Sequence, residues 1–194
     1  MTDILILPIT ATVRRLPEEV LVHIEQKHGK NAAESFSAYE ALSQLSLAFH
    51  LSKINRRLPF VEYDANGKPF FPDYPSVSFS LSHTDGMAAA VMSDHEDVGI
   101  DIEKIDLQKL HSYRKIAESR FFAEEQKKLM GCQHSELEEI KLFLSMWTLK
   151  EAAAKVLQIP SISQNTCAFP SDFHETTAIH DGRYVVSVVK KART

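Results

Sequence analysis

Hydrophobic positions along the first third of the chain alternate at first and then switch to a helical period. Leu5 to Val13 alternates and is rich in β-branched residues, which predicts a strand, and Pro17 followed by Glu18 and Glu19 opens a helix with acids at its positive end. From Ala32 to about Ile54, Phe36, Tyr39, Leu42, Leu45 and Phe49 recur at three- and four-residue steps, so this segment reads as one long amphipathic helix. The stretch Asp64-Ala65-Asn66-Gly67-Lys68-Pro69 then carries the asparagine-glycine chemistry of a tight turn, and Pro72 and Pro75 keep the following residues extended.

Strand patterns return at Val77 to Leu81, Met87 to Met92 and Val98 to Ile102, with Asp94-His95-Glu96-Asp97 as a turn, and together they are expected to form one small antiparallel sheet. Beyond Asp106 the period is helical again. Helices are expected over Tyr113 to Phe122, Ala123 to Met130 and about Ser135 to Leu157, before a last strand at Tyr184 to Val189. Helices and strands come in clusters and do not alternate strictly, which favours an α+β fold. The change of pattern places a division near Asp106, giving halves 1–106 and 107–194 within a single compact unit.

Composition narrows the class. A chain of 194 residues, 44% hydrophobic, can bury one sizeable core or two small ones and is too short for several independent domains. Asp3 and Pro8 flank and interrupt the apolar Ile4 to Ile9, so it reads as a strand and not a signal peptide, and no window reaches the roughly 18 to 20 apolar residues of a membrane span. A cytoplasmic protein is expected. Cys132 and Cys167 offer neither a disulfide framework nor a CxxC site, and the nine histidines show no zinc spacing. A net charge of -4 speaks against nucleic acid and anionic membrane as partners.

Candidate chemistry sits in three places. In Gly99-Ile100-Asp101-Ile102-Glu103 the two carboxylates point to one face of a strand and the isoleucines to the other. Such a shelf suits magnesium, which is commonly held by one or two carboxylates plus substrate phosphate oxygens. An isolated D-x-E is, however, more often the wet face of an ordinary strand. Gly99 is expected to let a ligand approach the backbone. In Trp147-Thr148-Leu149-Lys150-Glu151-Ala152-Ala153-Ala154-Lys155, a helical stripe holds Trp147, Glu151 and Lys155 with Lys150 beside them, and taken alone it reads better as a plain Glu151 to Lys155 surface ion pair. Ser78-Phe79-Ser80-Leu81-Ser82-His83 ends a strand in groups able to donate to phosphate.

Taken in order, Gly67-Lys68-Pro69, Ser80-Leu81-Ser82-His83, Gly99 to Glu103 and Trp147 to Lys155 resemble the 4'-phosphopantetheinyl transferase superfamily, in its larger monomeric, Sfp-like branch. The resemblance implies a pseudo-twofold pair of similar halves, each a small, mainly antiparallel sheet with a long helix, and an active site in the cleft between them. It implies transfer of phosphopantetheine from coenzyme A to a serine of an apo acyl or peptidyl carrier protein, with Mg2+ as cofactor and 3',5'-ADP released. Asp101, Glu103 and Glu151 would be the magnesium ligands, Glu151 the general base, and Lys155 and Lys150 the cations facing the pyrophosphate. Ser82 and His83 would be phosphate contacts, and Lys68 and Pro69 nucleotide-side contacts. The docking surface for an acidic carrier would draw on Lys104, Arg114, Lys115 and Arg120, although a solvated helix face explains these four equally well.

The sequence departs from that pattern in three ways. No arginine stands in Phe36 to Leu42, leaving Lys27, His28, Lys30, Arg56 and Arg57 as candidates for the 3'-phosphate. Gln126 replaces the acid after Phe121-Phe122, with Glu124 and Glu125 nearby, and Val156 to Pro160 replaces a glycine-rich continuation. These losses keep open a catalytically degenerate paralogue that binds carrier protein without transfer; a phosphohydrolase using the same carboxylates ranks behind it.

Overall fold

The strands predicted from alternation form, but they are divided between two main sheets. The computed structural model describes residues 1–9, 16–28, 32–51, 58–131, 135–159 and 172–193. β1 (Thr2–Pro8) is followed by helices α1 (Glu18–His28) and α2 (Ala32–Ala48), and then by the short pair β2 (Glu62–Tyr63) and β3 (Pro69–Phe70). Next come β4 (Ser78–Thr84), β5 (Met87–Ser93) and β6 (Glu96–Lys104). The last part holds α3 (Leu110–Arg120), α4 (Ala123–Met130), α5 (Glu136–Leu157), β7 (Phe173–His180) and β8 (Tyr184–Ala192). The result is an α+β fold with small antiparallel sheets.

The first sheet has the order β1-β5-β4 and the second β6-β8-β7, both antiparallel. In each, the first strand pairs with the third, and the third closes a hairpin with the second. The expected single sheet of β4, β5 and β6 is therefore corrected: β6 pairs with β8, and the change of sheet falls at the Asp94-His95 turn, earlier in the chain than Asp106. Alternation cannot reveal this, because it shows which face of a strand is apolar and not which strand lies beside it.

The inner faces of the two sheets pack on each other, with Met87, Ala89 and Val91 of β5 against Val98, Ile100 and Ile102 of β6 and Val186 and Val188 of β8. The outer face of the first sheet takes α2, whose Tyr39, Leu42 and Leu45 meet Ala90 and Met92. All of β5 is buried, which explains its continuous apolar run. β7 escapes the apolar pattern because nearly every residue on it is exposed. The helices follow their sequence signals: Ser135 and Glu138 cap α5 reciprocally, and among the described residues no helix is long and apolar enough to cross a membrane. The predicted turn forms around Asp64, whose Oδ1 accepts from Asn66 and Lys68 N–H while Gly67 adopts φ of 80°.

A row of hydroxyls joins the sheets. β4 and β6 run parallel, and the side-chain oxygens of Ser78, Ser80, Ser82 and Thr84 accept from the N–H groups of Val98, Ile100, Ile102 and Lys104 at 3.2 to 3.3 Å. The alternate serines of this strand are thus a seam that satisfies the β6 backbone. Ser80→Ala should leave the buried Ile100 N–H without its acceptor and cost about 1–3 kcal/mol in denaturant unfolding. A loss below about 0.5 kcal/mol would mean that the seam contributes little, since that is the scatter of neutral substitutions.

Candidate active site

The middles of β4 and β6, the Asp64 to Lys68 turn and one face of α5 meet around Lys155. Its ammonium donates to Ile100 O at 2.7 Å, Asp101 Oδ1 at 2.9 Å and Leu81 O at 3.3 Å, and so ties both sheets to the helix. The ion pair of Lys155 is with Asp101 across the fold. The alternative of a surface pair with Glu151 is thereby set aside.

Asp101 is buried under α5, so its strand face is not simply wet. Ser82 Oγ, itself accepting from Ile102 N–H, donates to Asp101 Oδ1 at 2.7 Å; the single hydroxyl proton of Ser82 is committed to this carboxylate. Glu103 accepts from Thr84 Oγ1 at 3.2 Å. Gly99 serves a purpose other than the one expected. A Cβ there would lie 2.0 Å from Ala152 O and 3.0 Å from Val156 Cγ2, so the missing side chain admits α5, not a ligand.

The carboxylates disturb one another. Burial, and after it the charge of Asp101, pushes Glu103 up to about 7, and the same two causes in the same order raise Glu151. Asp101 Oδ2 is buried with no hydrogen-bond partner among the described residues. Among the described residues no three His, Cys, Asp or Glu side chains stand grouped as a metal site, with Asp101 held by Lys155. An orphan carboxylate oxygen beside two destabilised carboxylates is nevertheless a donor set that a hard divalent cation fits.

Two adjoining hollows open on either side of Lys155 and Gly67. The larger, about 390 Å3, is lined by Lys68, Arg120, Trp147, Glu151 and Lys155 among others. Phe143 stacks on Trp147 at 6.1 Å and 10° and steadies the indole in this wall. The smaller, about 250 Å3, is lined by His23, Ser35, Tyr39, Tyr63, Pro69, Ser82 and His83 among others. His23, Ser35, Tyr39 and Tyr63 were not foreseen as site residues, because in sequence they read as ordinary helix and loop positions; only the fold brings them to His83. Lys68 Nζ donates to Lys155 O at 3.2 Å, and burial lowers its pKa.

A family model, the 4'-phosphopantetheinyl transferase superfamily, matches residues 97–193, half of the chain. The chain belongs to the 4'-phosphopantetheinyl transferase superfamily. Its relatives mark the Sfp-like branch: it is 32% identical over 113 residues to 4'-phosphopantetheinyl transferase Sfp of Bacillus subtilis strain 168, covering 58% of this chain and 46% of that one. It is 41% identical over 96 residues to psf-1 of Bacillus pumilus, covering 49% and 38%, and 34% identical over 98 residues to AcpT of Escherichia coli K12, covering 50% and 48%. The match thus spans about half the length of these curated relatives, or less.

In this member of the superfamily Lys150 stands apart from the hollows. It is buried, 2.8 Å from Glu125 Oε1, with its ammonium about 5 Å over the rings of Phe121 (5.3 Å) and Phe122 (5.0 Å). Glu125 also accepts from Phe122 N–H at 2.8 Å, whereas Gln126 donates to Phe121 O and Glu118 O. Of the acids near the Phe121-Phe122 pair, Glu125 is the one that meets a lysine. Glu125→Gln should leave the Lys150 charge buried and uncompensated, at a cost of about 3–5 kcal/mol in chemical denaturation. Stability within 1 kcal/mol of wild type, about the median for exposed pairs, would show that the pair is not held in a desolvated site.

The basic residues that end and follow β6 are also partly committed. Lys104 pairs with Asp85, Arg114 forks onto Glu139 at 2.6 and 2.7 Å, and Arg120 lines the larger hollow. Arg56, Arg57, Lys30, Cys132, Cys167 and the side chains of Lys27 and His28 lie outside the described residues.

Proposed function

We propose that this protein, acting as a cytoplasmic monomer, transfers 4'-phosphopantetheine from coenzyme A to a serine of an apo acyl or peptidyl carrier protein and releases 3',5'-ADP. The observation that carries the reading is the Lys155–Asp101 ion pair, which ties α5 to β6 where Lys155 borders both hollows, with Glu151 in the larger one and the charge of Asp101 acting on both Glu103 and Glu151. The repeated strand order of the two sheets supports a pseudo-twofold pair of halves with the active site in the cleft between them.

Asp101, Glu103 and Glu151 would hold magnesium, which when bound draws electron density from the diphosphate. Lys155 lies between the hollows and can shift from Asp101 to the donor's phosphate oxygens once the carboxylates have another counter-charge. Ser82 holds Asp101 in its rotamer, and His83 and Pro69 border the nucleotide side. Glu151, on the wall of the larger hollow, takes the serine proton. The serine oxygen bonds to the β-phosphorus as the bond to the ADP oxygen breaks, so positioning and charge neutralisation supply most of the acceleration. Lys150, paired with Glu125, is read as a strut that fixes α5 to α4.

Intact-protein mass spectrometry of several apo carrier proteins with coenzyme A tests this. A gain of one phosphopantetheine that requires both this protein and magnesium, and disappears with EDTA, is expected. No gain on any carrier, together with no coenzyme A binding in magnesium, would favour a paralogue that only binds carrier protein.

A further inference from the structure

Behind the His83 wall of the smaller hollow stands an acid, Glu34, where a phosphate at that wall would need a cation. Glu34 sits in the first turn of α2, an end that favours an anion and already has this carboxylate. Its Oε2 is 3.1 Å from Nδ1 of His83, and Nε2 of the same ring is 3.3 Å from Ser35 Oγ. His83 and Ser35 both border the hollow, whose walls also include Lys155, the His23 and Tyr63 rings stacked at 3.6 Å and the Tyr39 hydroxyl 2.8 Å from that of Tyr63. Among the described residues, hydroxyls, ring edges and aromatic faces outnumber Lys155 in this lining, and Lys155 is already paired with Asp101. The charge that a histidine could offer to an anion there is met from behind by Glu34.

At ribose-binding ends of nucleotide sites an acid goes with a free ribose hydroxyl and an arginine with a ribose phosphate. The helix segment Phe36 to Leu42 holds no arginine, and Glu34 stands just before it. A dianionic phosphate near His83 Nε2 would also face the Glu34 carboxylate across one imidazole ring, whereas a hydroxyl there can bond to both His83 and Ser35 without that repulsion.

We propose that this hollow recognises an unphosphorylated ribose, so that the protein uses 3'-dephospho-coenzyme A at least as well as coenzyme A. The inference rests on the transferase reading given above. The reaction is the same displacement: the serine oxygen bonds to the phosphorus carrying pantetheine, its proton passes to the base, and adenosine 5'-monophosphate leaves in place of 3',5'-ADP.

The experiment compares the two donors with one apo carrier protein in magnesium, for wild type, Glu34→Gln and Glu34→Arg, with circular dichroism as the folding control. For wild type, kcat/KM for 3'-dephospho-coenzyme A should equal or exceed that for coenzyme A within about threefold, and Glu34→Arg should move the ratio toward coenzyme A by about tenfold or more, Glu34→Gln by less. Quenching of Trp147, the chain's one tryptophan, gives donor affinities independent of turnover and should show the same order. A wild-type preference for coenzyme A above about 30-fold, or a ratio unmoved in Glu34→Arg, overturns the inference while leaving the transferase reading in place. If neither donor binds or is used, both fall together.

Discussion

Glu151→Gln should lower the rate of phosphopantetheine transfer by about 10^3-fold, because a general base typically contributes 10^2 to 10^4 and a charge at a metal site is lost with it. The substitution keeps the shape of the side chain and its place on α5, so Trp147 and Lys155 remain where they are. It also removes one member of a crowded carboxylate set: Glu151 is raised by burial and by the charge of Asp101, and Glu103 by the same pair of causes. The variant should therefore fold at least as stably as wild type without metal while losing turnover. Single-turnover mass spectrometry beside denaturant unfolding separates the two effects. A rate within about threefold of wild type would remove Glu151 from the proposed base and ligand roles, since no base contribution is that small.

Gly99→Ala should be the most damaging one-carbon change in the fold. The added Cβ would meet the carbonyl of Ala152 at 2.0 Å for the oxygen and 2.9 Å for the carbon, both backbone atoms of α5 that no rotamer change can move. Relief requires the whole helix to lift from β6, against the packing of Ala152, Ala153 and Val156 on Val189. A cost of about 3 kcal/mol or more follows, at the upper end for overpacked cores. Val156→Ala removes only the 3.0 Å contact, so it should not rescue Gly99→Ala. Because α5 carries Glu151 and Lys155, any folded remainder should also lose transfer. Denaturation of the single and double variants gives the test, and a Gly99→Ala protein of wild-type stability would mean that α5 does not lie this close to β6.

The two predictions draw on different depths of information. The carboxylate face was legible in the sequence, since a period of two puts Asp101 and Glu103 together whatever the fold, and a helical period does the same for Trp147, Glu151 and Lys155. The helix α5 was legible down to its cap at Ser135. The use made of Gly99 was not, because a glycine looks the same whether a ligand or a helix approaches it. Lys150 is a similar case: adjacent to Glu151 in sequence, it points about 100° away around the helix and ends under Phe121 and Phe122 with Glu125. Its chemistry is readable, its neighbours are not.

What the sequence determined by itself was local: the order of most helices and strands, the turn at Asp64 to Lys68, the faces on which charges gather, and the family those motifs belong to. Periodicity acts within a few residues and survives any arrangement of the elements. Tertiary structure alone decided that β6 leaves the sheet of β4 and β5 to pair with β8, and that serines on β4 close the gap with hydroxyls. It also decided that Lys155 reaches Asp101, and that Glu34 comes to rest behind His83. Those outcomes depend on which surfaces bury each other and on distances between residues 20 or more positions apart in the chain, about which a local pattern carries no information.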